Sequence, residues 1–241
     1  MRFYVDALLS VLLAPLCAAC ARPLDRPTGG AVCPACWSSI LPLTPPLCDT
    51  CGDPLPAWRL VSLPLARCAR CRRLPRPIDR ARAIGVYDGA LRSIVHALKY
   101  DGRRSLARPL ALLMQARGRE ALTGADLAVP VPLHPSRRRE RGFNQADDLA
   151  RHVGLPVMSA LRRIRATAAQ ADLPAARRHG NVKNAFAVHC RARALDGKVV
   201  VLIDDVSTTG ATLDACARAL KEGGAREVRA LTAARVVAAL R

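Results

Sequence analysis

Aromatic residues are scarce: Phe, Trp and Tyr make up 3% of the 241 residues. A protein that grips single strands mainly by stacking bases would carry more of them. Acidic residues are also few, 19 against 38 basic ones, giving a formal charge of +19. That imbalance favours anionic partners, either nucleic acid or anionic small substrates. Only four of the basic residues are Lys, and an Arg- and Ala-rich chain is also what a GC-rich genome produces, so part of the charge carries no message about partners. The excess is uneven, with 10 basic and 5 acidic residues in 1–80 and 28 and 14 in 81–241. No stretch reaches the roughly 20 apolar residues needed to span a bilayer. A G-x-x-x-x-G-K-[ST] loop is absent, which excludes P-loop nucleotide binding.

The N-terminal MRFYVDALLSVLLAPLC imitates a secretory leader with a lipoprotein-type cysteine. Asp6 interrupts its apolar run, however, and Pro15-Leu16 stand where small residues belong. Phe3, Ala7, Leu8, Val11 and Leu12 share one helical face, which predicts a packed amphipathic helix. The chain is expected to be cytoplasmic, with no membrane insertion.

Cysteine, by contrast, is abundant. Eight of the ten cysteines form four C-x-x-C pairs: Cys17/Cys20, Cys33/Cys36, Cys48/Cys51 and Cys68/Cys71. Two thiolates from one tight turn can bind the same tetrahedral ion, and a second such pair completes a structural zinc site. Disulfides are disfavoured in a cytosolic chain, and the usual iron–sulfur spacings are missing. The pattern reads as two zinc ribbons. Consecutive pairing is the default, and an interleaved pairing stays open. Twelve prolines between Pro15 and Pro77 leave little room for helix or sheet, so metal binding should supply much of the folding energy of residues 1–80. Arg70–Arg80 reads as the exit linker. Trp37 and Trp58 are expected to fill gaps among the ligands.

Residues 81–241 alternate strand and helix signals. A short strand is expected at Ala83–Tyr87 and a helix at Leu91–Lys99, then a second helix capped by Ser105 and running to about Ala116. Leu127–Val131 reads as a strand and 136–143 as a basic loop, and Asn144 can cap a further helix. Residues 161–184 lack a clean period and read as a mobile excursion. Strands follow at Phe186–His189, Val199–Ile203 and Val228–Ala233. The alternation predicts a parallel sheet with helices on both faces, binding ligands at the carboxyl ends of its strands. His134, beside the basic loop, is the one histidine worth testing. His96 and His152 are read as ordinary residues of helices, His179 and His189 have no partner identifiable in the sequence, and Cys190 and Cys216 are read as buried small side chains.

The most specific stretch is VVVLIDDVSTTGATL, Val199–Leu213. An apolar run that reads as a strand buried on both faces leads into Asp204 and Asp205. Ser207, Thr208, Thr209, Gly210, Ala211 and Thr212 then turn into a helix. Small hydroxyl residues and a glycine at such a turn make a phosphate cradle at the positive end of a helix. Two carboxylates beside it suit ribose hydroxyls or Mg²⁺.

This stretch resembles the phosphoribosyl-pyrophosphate (PRPP) motif of type I phosphoribosyltransferases. The resemblance implies that Asp204 and Asp205 hold the ribose hydroxyls, that the loop takes the 5′-phosphate, and that Mg²⁺ accompanies PRPP. Arginines of the 137–141 segment, with Arg137 and Arg141 as the catalytic candidates beside the acidic pair, or of the 162–178 excursion, would then neutralise the departing pyrophosphate. VPVPLH at Val129–His134, RRRERGFNQA at Arg137–Ala146, RATAAQADL at Arg165–Leu173, NVKNAF at Asn181–Phe186 and HALKYDG at His96–Gly102 further resemble the ComF family. That resemblance covers nearly the whole chain. It implies a type I phosphoribosyltransferase-like domain over 81–241 after a double zinc ribbon over 1–80, two structural Zn²⁺ ions, a link to single-stranded DNA handling in natural transformation, and a helicase-like partner. One departure concerns the acceptor: where 6-oxopurine enzymes carry an acid three positions after the acidic pair, this chain has Thr208. The alternative is a non-catalytic, zinc-stabilised DNA- or partner-binding module whose PRPP site is a relic or a sensor.

Overall fold

The computed structural model describes residues 2–56, 66–165, 185–189 and 194–237. Trp58, His179, Cys190 and most of the 161–184 excursion lie outside the described residues.

Four parallel strands form the main sheet: β1 (Arg80–Ala83), β2 (Leu127–Pro130), β5 (Val199–Ser207) and β6 (Glu227–Arg235), in the order β1-β6-β5-β2. Alternate residues of the two central strands feed two separate apolar cores. Val201, Ile203, Leu231 and Ala233 point to one face, and Val200, Leu202, Val228 and Ala230 to the other. That two-sided burial is why β5 reads as an unbroken apolar run.

Helices α4 (Gly89–Tyr100), α5 (Ala107–Arg117) and α8 (Gln145–Ala150) cover the first face. The helix Ala211–Glu222 covers the second with Leu213, Cys216, Ala217 and Leu220. In chain order the remaining helices are α1 (Arg2–Leu13), α2 (Pro34–Ser38), α3 (Ala69–Arg73), α6 (Arg119–Leu122) and α7 (Pro135–Arg141), and Ala211–Glu222 is α9. A small antiparallel pair, β3 (Leu161–Arg163) with β4 (Phe186–Val188), packs against α9.

Several expectations are corrected. The first strand lies at Arg80–Ala83 rather than Ala83–Tyr87. Arg82 hides it from a hydrophobic reading: the side chain is buried, yet its guanidinium is satisfied by Glu120 and by the Cys48, Asp49 and Ala81 carbonyls. The basic loop is the helix α7, started by the His134 cap and Pro135 and stopped by Gly142 in the left-handed region. Its lack of an apolar face concealed it. The helix expected from Ser105 begins at Ala107, after a 3₁₀ turn over Arg104–Leu106. Leu161–Arg163, placed in the excursion, is strand β3, and β4 pairs with it outside the parallel sheet. β5 also continues through the acidic pair to Ser207, and β6 to Arg235.

The N-terminal helix forms, but it is not packed as expected. Leu8, Val11 and Leu12 are exposed, whereas Asp6 is buried and accepts a hydrogen bond from the Thr28 N–H at 2.8 Å. No helix among the described residues is long and apolar enough to cross a membrane.

The cysteines gather into two clusters, Cys17/Cys20/Cys33/Cys36 and Cys48/Cys51/Cys68/Cys71, each with its four sulfurs within 4.8 Å of one another. Pairing is therefore consecutive. Cys20 and Cys33 sulfurs lie 3.9 Å apart, and Cys51 and Cys68 sulfurs 3.6 Å. These separations are far too long for disulfides, and they match the ~3.8 Å edge of a thiolate tetrahedron around zinc. Backbone N–H groups of Cys33 and Cys68 donate to the Cys17 and Cys48 sulfurs, each at 3.3 Å, as suits thiolate ligands. The donor sets fit structural zinc. The first cluster packs on the α4 face of the sheet with Trp37. The second sits beside β1, where Ala81 N–H donates to Thr50 C=O at 2.8 Å. Gly52, at φ +71°, allows that approach, since a Cβ there would strike the Ala81 carbonyl.

Candidate phosphoribosyl site

β2 and β5 are neighbours in the sheet, so the segments leaving their carboxyl ends face one another. Between them lies a cleft of about 240 Å³. The β5 side contributes Asp204, Asp205, Ser207, Thr208, Gly210, Ala211 and Thr212, and the β2 side contributes Arg137 and Arg141. The acidic pair, most of the hydroxyl loop and both candidate arginines thus share one cleft. Thr209 does not line it; its hydroxyl accepts the Ala211 N–H at 3.3 Å and shapes the turn.

Gly210 sits at φ +79°, where a Cβ would collide with the Arg76 guanidinium. The turn delivers the chain into α9 with its first residues on the cleft, so the N–H groups and positive dipole of a helix start border it. Ser207 is buried, and its hydroxyl accepts from Arg235 Nη1 at 2.9 Å.

The carboxylates are not equivalent. Asp205 is 3% exposed; its Oδ1 lies 2.8 Å from Lys99 Nζ, while its Oδ2 is buried with no hydrogen-bond partner among the described residues. Burial opposes the charge on Lys99, but Asp205 more than offsets it and Lys99 titrates above its ordinary value. Asp204 accepts the Asp205 N–H at 2.9 Å. Burial first, and the neighbouring Asp205 second, push its carboxyl up to about 7, against the opposing pull of Lys99. Beneath it, burial pushes the Cys216 thiol well above its ordinary value and Asp204 adds to that.

The opposite wall is cationic. Arg141 lies over the Tyr100 ring at 5.0 Å and donates to Gln145 Oε1 at 2.9 Å. Arg163 also lines the cleft, 5.5 Å from the Phe186 ring. Burial and the like charge of Arg137 hold its guanidinium below the usual range. Cations gathered along one wall raise the local positive potential of the cleft. His134 caps α7, where its Nδ1 lies 2.7 Å from Ser136 Oγ.

Lys99, Tyr87, Tyr100 and Arg76 reach this region unannounced by sequence. Lys99 stands inside HALKYDG, but only the fold brings it to Asp205. Arg76 meets Asp214 across 138 residues.

A second, wider cleft of about 860 Å³ adjoins the first and shares Pro132, Leu133 and Arg163 with it. Arg138, Arg139, Arg151 and Arg162 line it, with Asp147 as the acidic member of its wall.

The double zinc ribbon domain family matches residues 8–74, and the phosphoribosyl transferase domain family matches residues 139–239. "DNA utilization protein YhgH" of Salmonella typhi is 38% identical over 224 residues, spanning 89% of this chain and 94% of that protein. Its Escherichia coli K12 counterpart is 35% identical over the same spans. "Competence protein F" of Haemophilus influenzae is 29% identical over 208 residues, spanning 82% and 87%. With two Cys₄ ribbons ahead of a parallel sheet that carries the acidic pair and hydroxyl loop, and with relatives similar over almost its whole length, the chain belongs to the ComF family of competence and DNA-utilization proteins.

Proposed function

We propose that the chain binds PRPP in the cleft between β2 and β5 and transfers its ribose 5-phosphate to an acceptor. The observation that carries this reading is the buried Asp205 Oδ2, which has no hydrogen-bond partner among the described residues, beside Asp204 and ahead of the turn into α9. An orphaned buried acceptor is costly unless a ligand satisfies it, and ribose hydroxyls are donors of the right kind. Asp204 and Asp205 would hold the 2′- and 3′-hydroxyls, and Thr208–Thr212 the 5′-phosphate. Arg137, Arg141 and Arg163 would face the pyrophosphate. As the C1–O bond breaks and the acceptor's bond to C1 forms, they stabilise the charge gathering on the leaving group. Mg²⁺, bound with pyrophosphate, would supply further neutralisation.

The relatives are named for DNA utilization and competence, and the wider arginine-lined cleft beside the site favours single-stranded DNA as a second ligand. A helicase-like protein is the expected companion in that role. A non-catalytic module keeping its PRPP cleft as a sensor would use the same two clefts without the transfer.

Titration calorimetry of PRPP with Mg²⁺ into zinc-replete protein tests the reading. Binding by wild type and its loss in the Asp204→Ala/Asp205→Ala variant are expected. No binding by the folded wild type would overturn it and leave the nucleic-acid reading.

A further inference from the structure

Two ion pairs, one buried and one half-buried at its Asp53 end, run from the second cysteine cluster to the phosphate loop. The first begins at Arg76, five residues after Cys71. Arg76 is 7% exposed and pairs with Asp214 in the first turn of α9, with contacts of 2.8–3.0 Å. Its guanidinium fills the space beside Gly210 that any side chain there would need. The second begins at Asp53, two residues after Cys51, whose carboxylate also accepts from Arg70 between Cys68 and Cys71 at 3.3 Å. Asp53 pairs with Arg235, which is 3% exposed and donates to the Ser207 hydroxyl at 2.9 Å. Ser207 is thereby hydrogen-bonded by one guanidinium and Gly210 is abutted by another, and each guanidinium follows or pairs with a residue that flanks the ligands of one cluster. The first cluster has no such route among the described residues. It is linked to the α/β domain by apolar packing and by Arg103, which donates to the Leu16 carbonyl at 3.3 Å.

We infer that Arg76 and Arg235 are positioning residues for the phosphate loop, and that metal filling of the Cys48/Cys51/Cys68/Cys71 cluster is thermodynamically linked to PRPP binding. This rests on the phosphoribosyl reading of the cleft. Both guanidiniums are buried, so neither carboxylate can leave without stranding a buried cation, and that is how such a pair transmits position. The linkage must also be reciprocal: if zinc in this cluster favours the PRPP-competent loop, PRPP must tighten zinc there by the same factor.

The test uses full-length, zinc-loaded protein and two readouts, PRPP affinity by calorimetry and zinc release to a colorimetric chelator. Asp53→Asn and Arg76→Gln should keep two zinc ions and a cooperative melt yet bind PRPP about 5- to 150-fold more weakly, and Arg76→Lys should recover part of the loss. Arg103→Ala, at the first ribbon, should bind as wild type does. In wild type, Mg²⁺–PRPP should slow the release of one of the two zinc ions, and it should not do so in Asp53→Asn or in the Asp204→Ala/Asp205→Ala variant. If wild type binds PRPP while the variants bind it equally well and zinc release ignores PRPP, the linkage is refuted. If wild type does not bind PRPP, the phosphoribosyl reading itself fails. Should either variant fail to fold, the effect of PRPP on wild-type zinc release still decides.

Discussion

Burial and the neighbouring Asp205 favour the protonated form of Asp204 and push its carboxyl up to about 7. Its native value lies above its unfolded value, so the native state binds the extra proton between about pH 4 and about pH 7. The stability tied to that proton is full below the window and is lost as pH rises through it. Asp204→Asn should therefore raise the melting temperature at about pH 8 more than at about pH 5, by several degrees. PRPP affinity of wild type relative to Asp204→Asn should climb through the same window, because only the ionised carboxylate accepts from both hydroxyls; the ratio cancels the titration of PRPP itself. Lys99→Met should cost about 3 kcal/mol in urea unfolding, since it leaves the Asp205 carboxylate buried and unpaired. Adding Asp205→Leu should recover most of that stability without restoring PRPP binding. Asp204 and Asp205 were legible because they sit in one short motif. Lys99 was not, since a salt bridge between distant segments leaves no local pattern.

At the scale of elements, the strand–turn–helix from β5 to α9 was readable for a physical reason: a doubly buried strand, small hydroxyls, a glycine and an amphipathic helix each leave their own mark. Gly210→Ala should cost about 1–3 kcal/mol, because it places a Cβ at positive φ against Arg76. Calorimetry should find PRPP binding weakened along with it. Two of the elements that sequence misplaced share one trait: charged side chains on backbone that is nonetheless regular. β1 buries Arg82 against Glu120 and carbonyls, and α7 is rich in arginine and has no buried face. In both, hydrogen bonding replaces hydrophobic periodicity, so a reading based on periodicity passes over them. α1 shows the converse. Its apolar residues suggested packing, but the side chain that anchors it is Asp6.

Across the whole molecule, the excess of arginine becomes meaningful only through its placement. Arg138, Arg139, Arg151, Arg162 and Arg163 line one cleft beside the proposed phosphoribosyl site. Single-stranded DNA affinity, measured by fluorescence anisotropy, should fall with salt at a log–log slope of roughly −0.7 for each phosphate neutralised. A flat response would remove DNA from this cleft. Metal analysis should find two zinc ions per chain, and their removal by chelation should lower the melting temperature sharply, because the ribbons have little apolar core of their own.

Sequence alone determined what local chemistry can encode: four cysteine pairs at ligand spacing, a hydroxyl- and glycine-rich turn behind two acids, and the strand–helix alternation of a parallel sheet. Those signals survive in one dimension because their partners lie within a turn or a ribbon of one another. It took the folded chain to show that the cysteines group consecutively, that Lys99 pairs with Asp205, and that Arg76 and Arg235 link the second ribbon to the turn after β5. The ion pairs are contacts between segments far apart in the chain, and burial, which makes such charged contacts matter, exists only once the chain has folded.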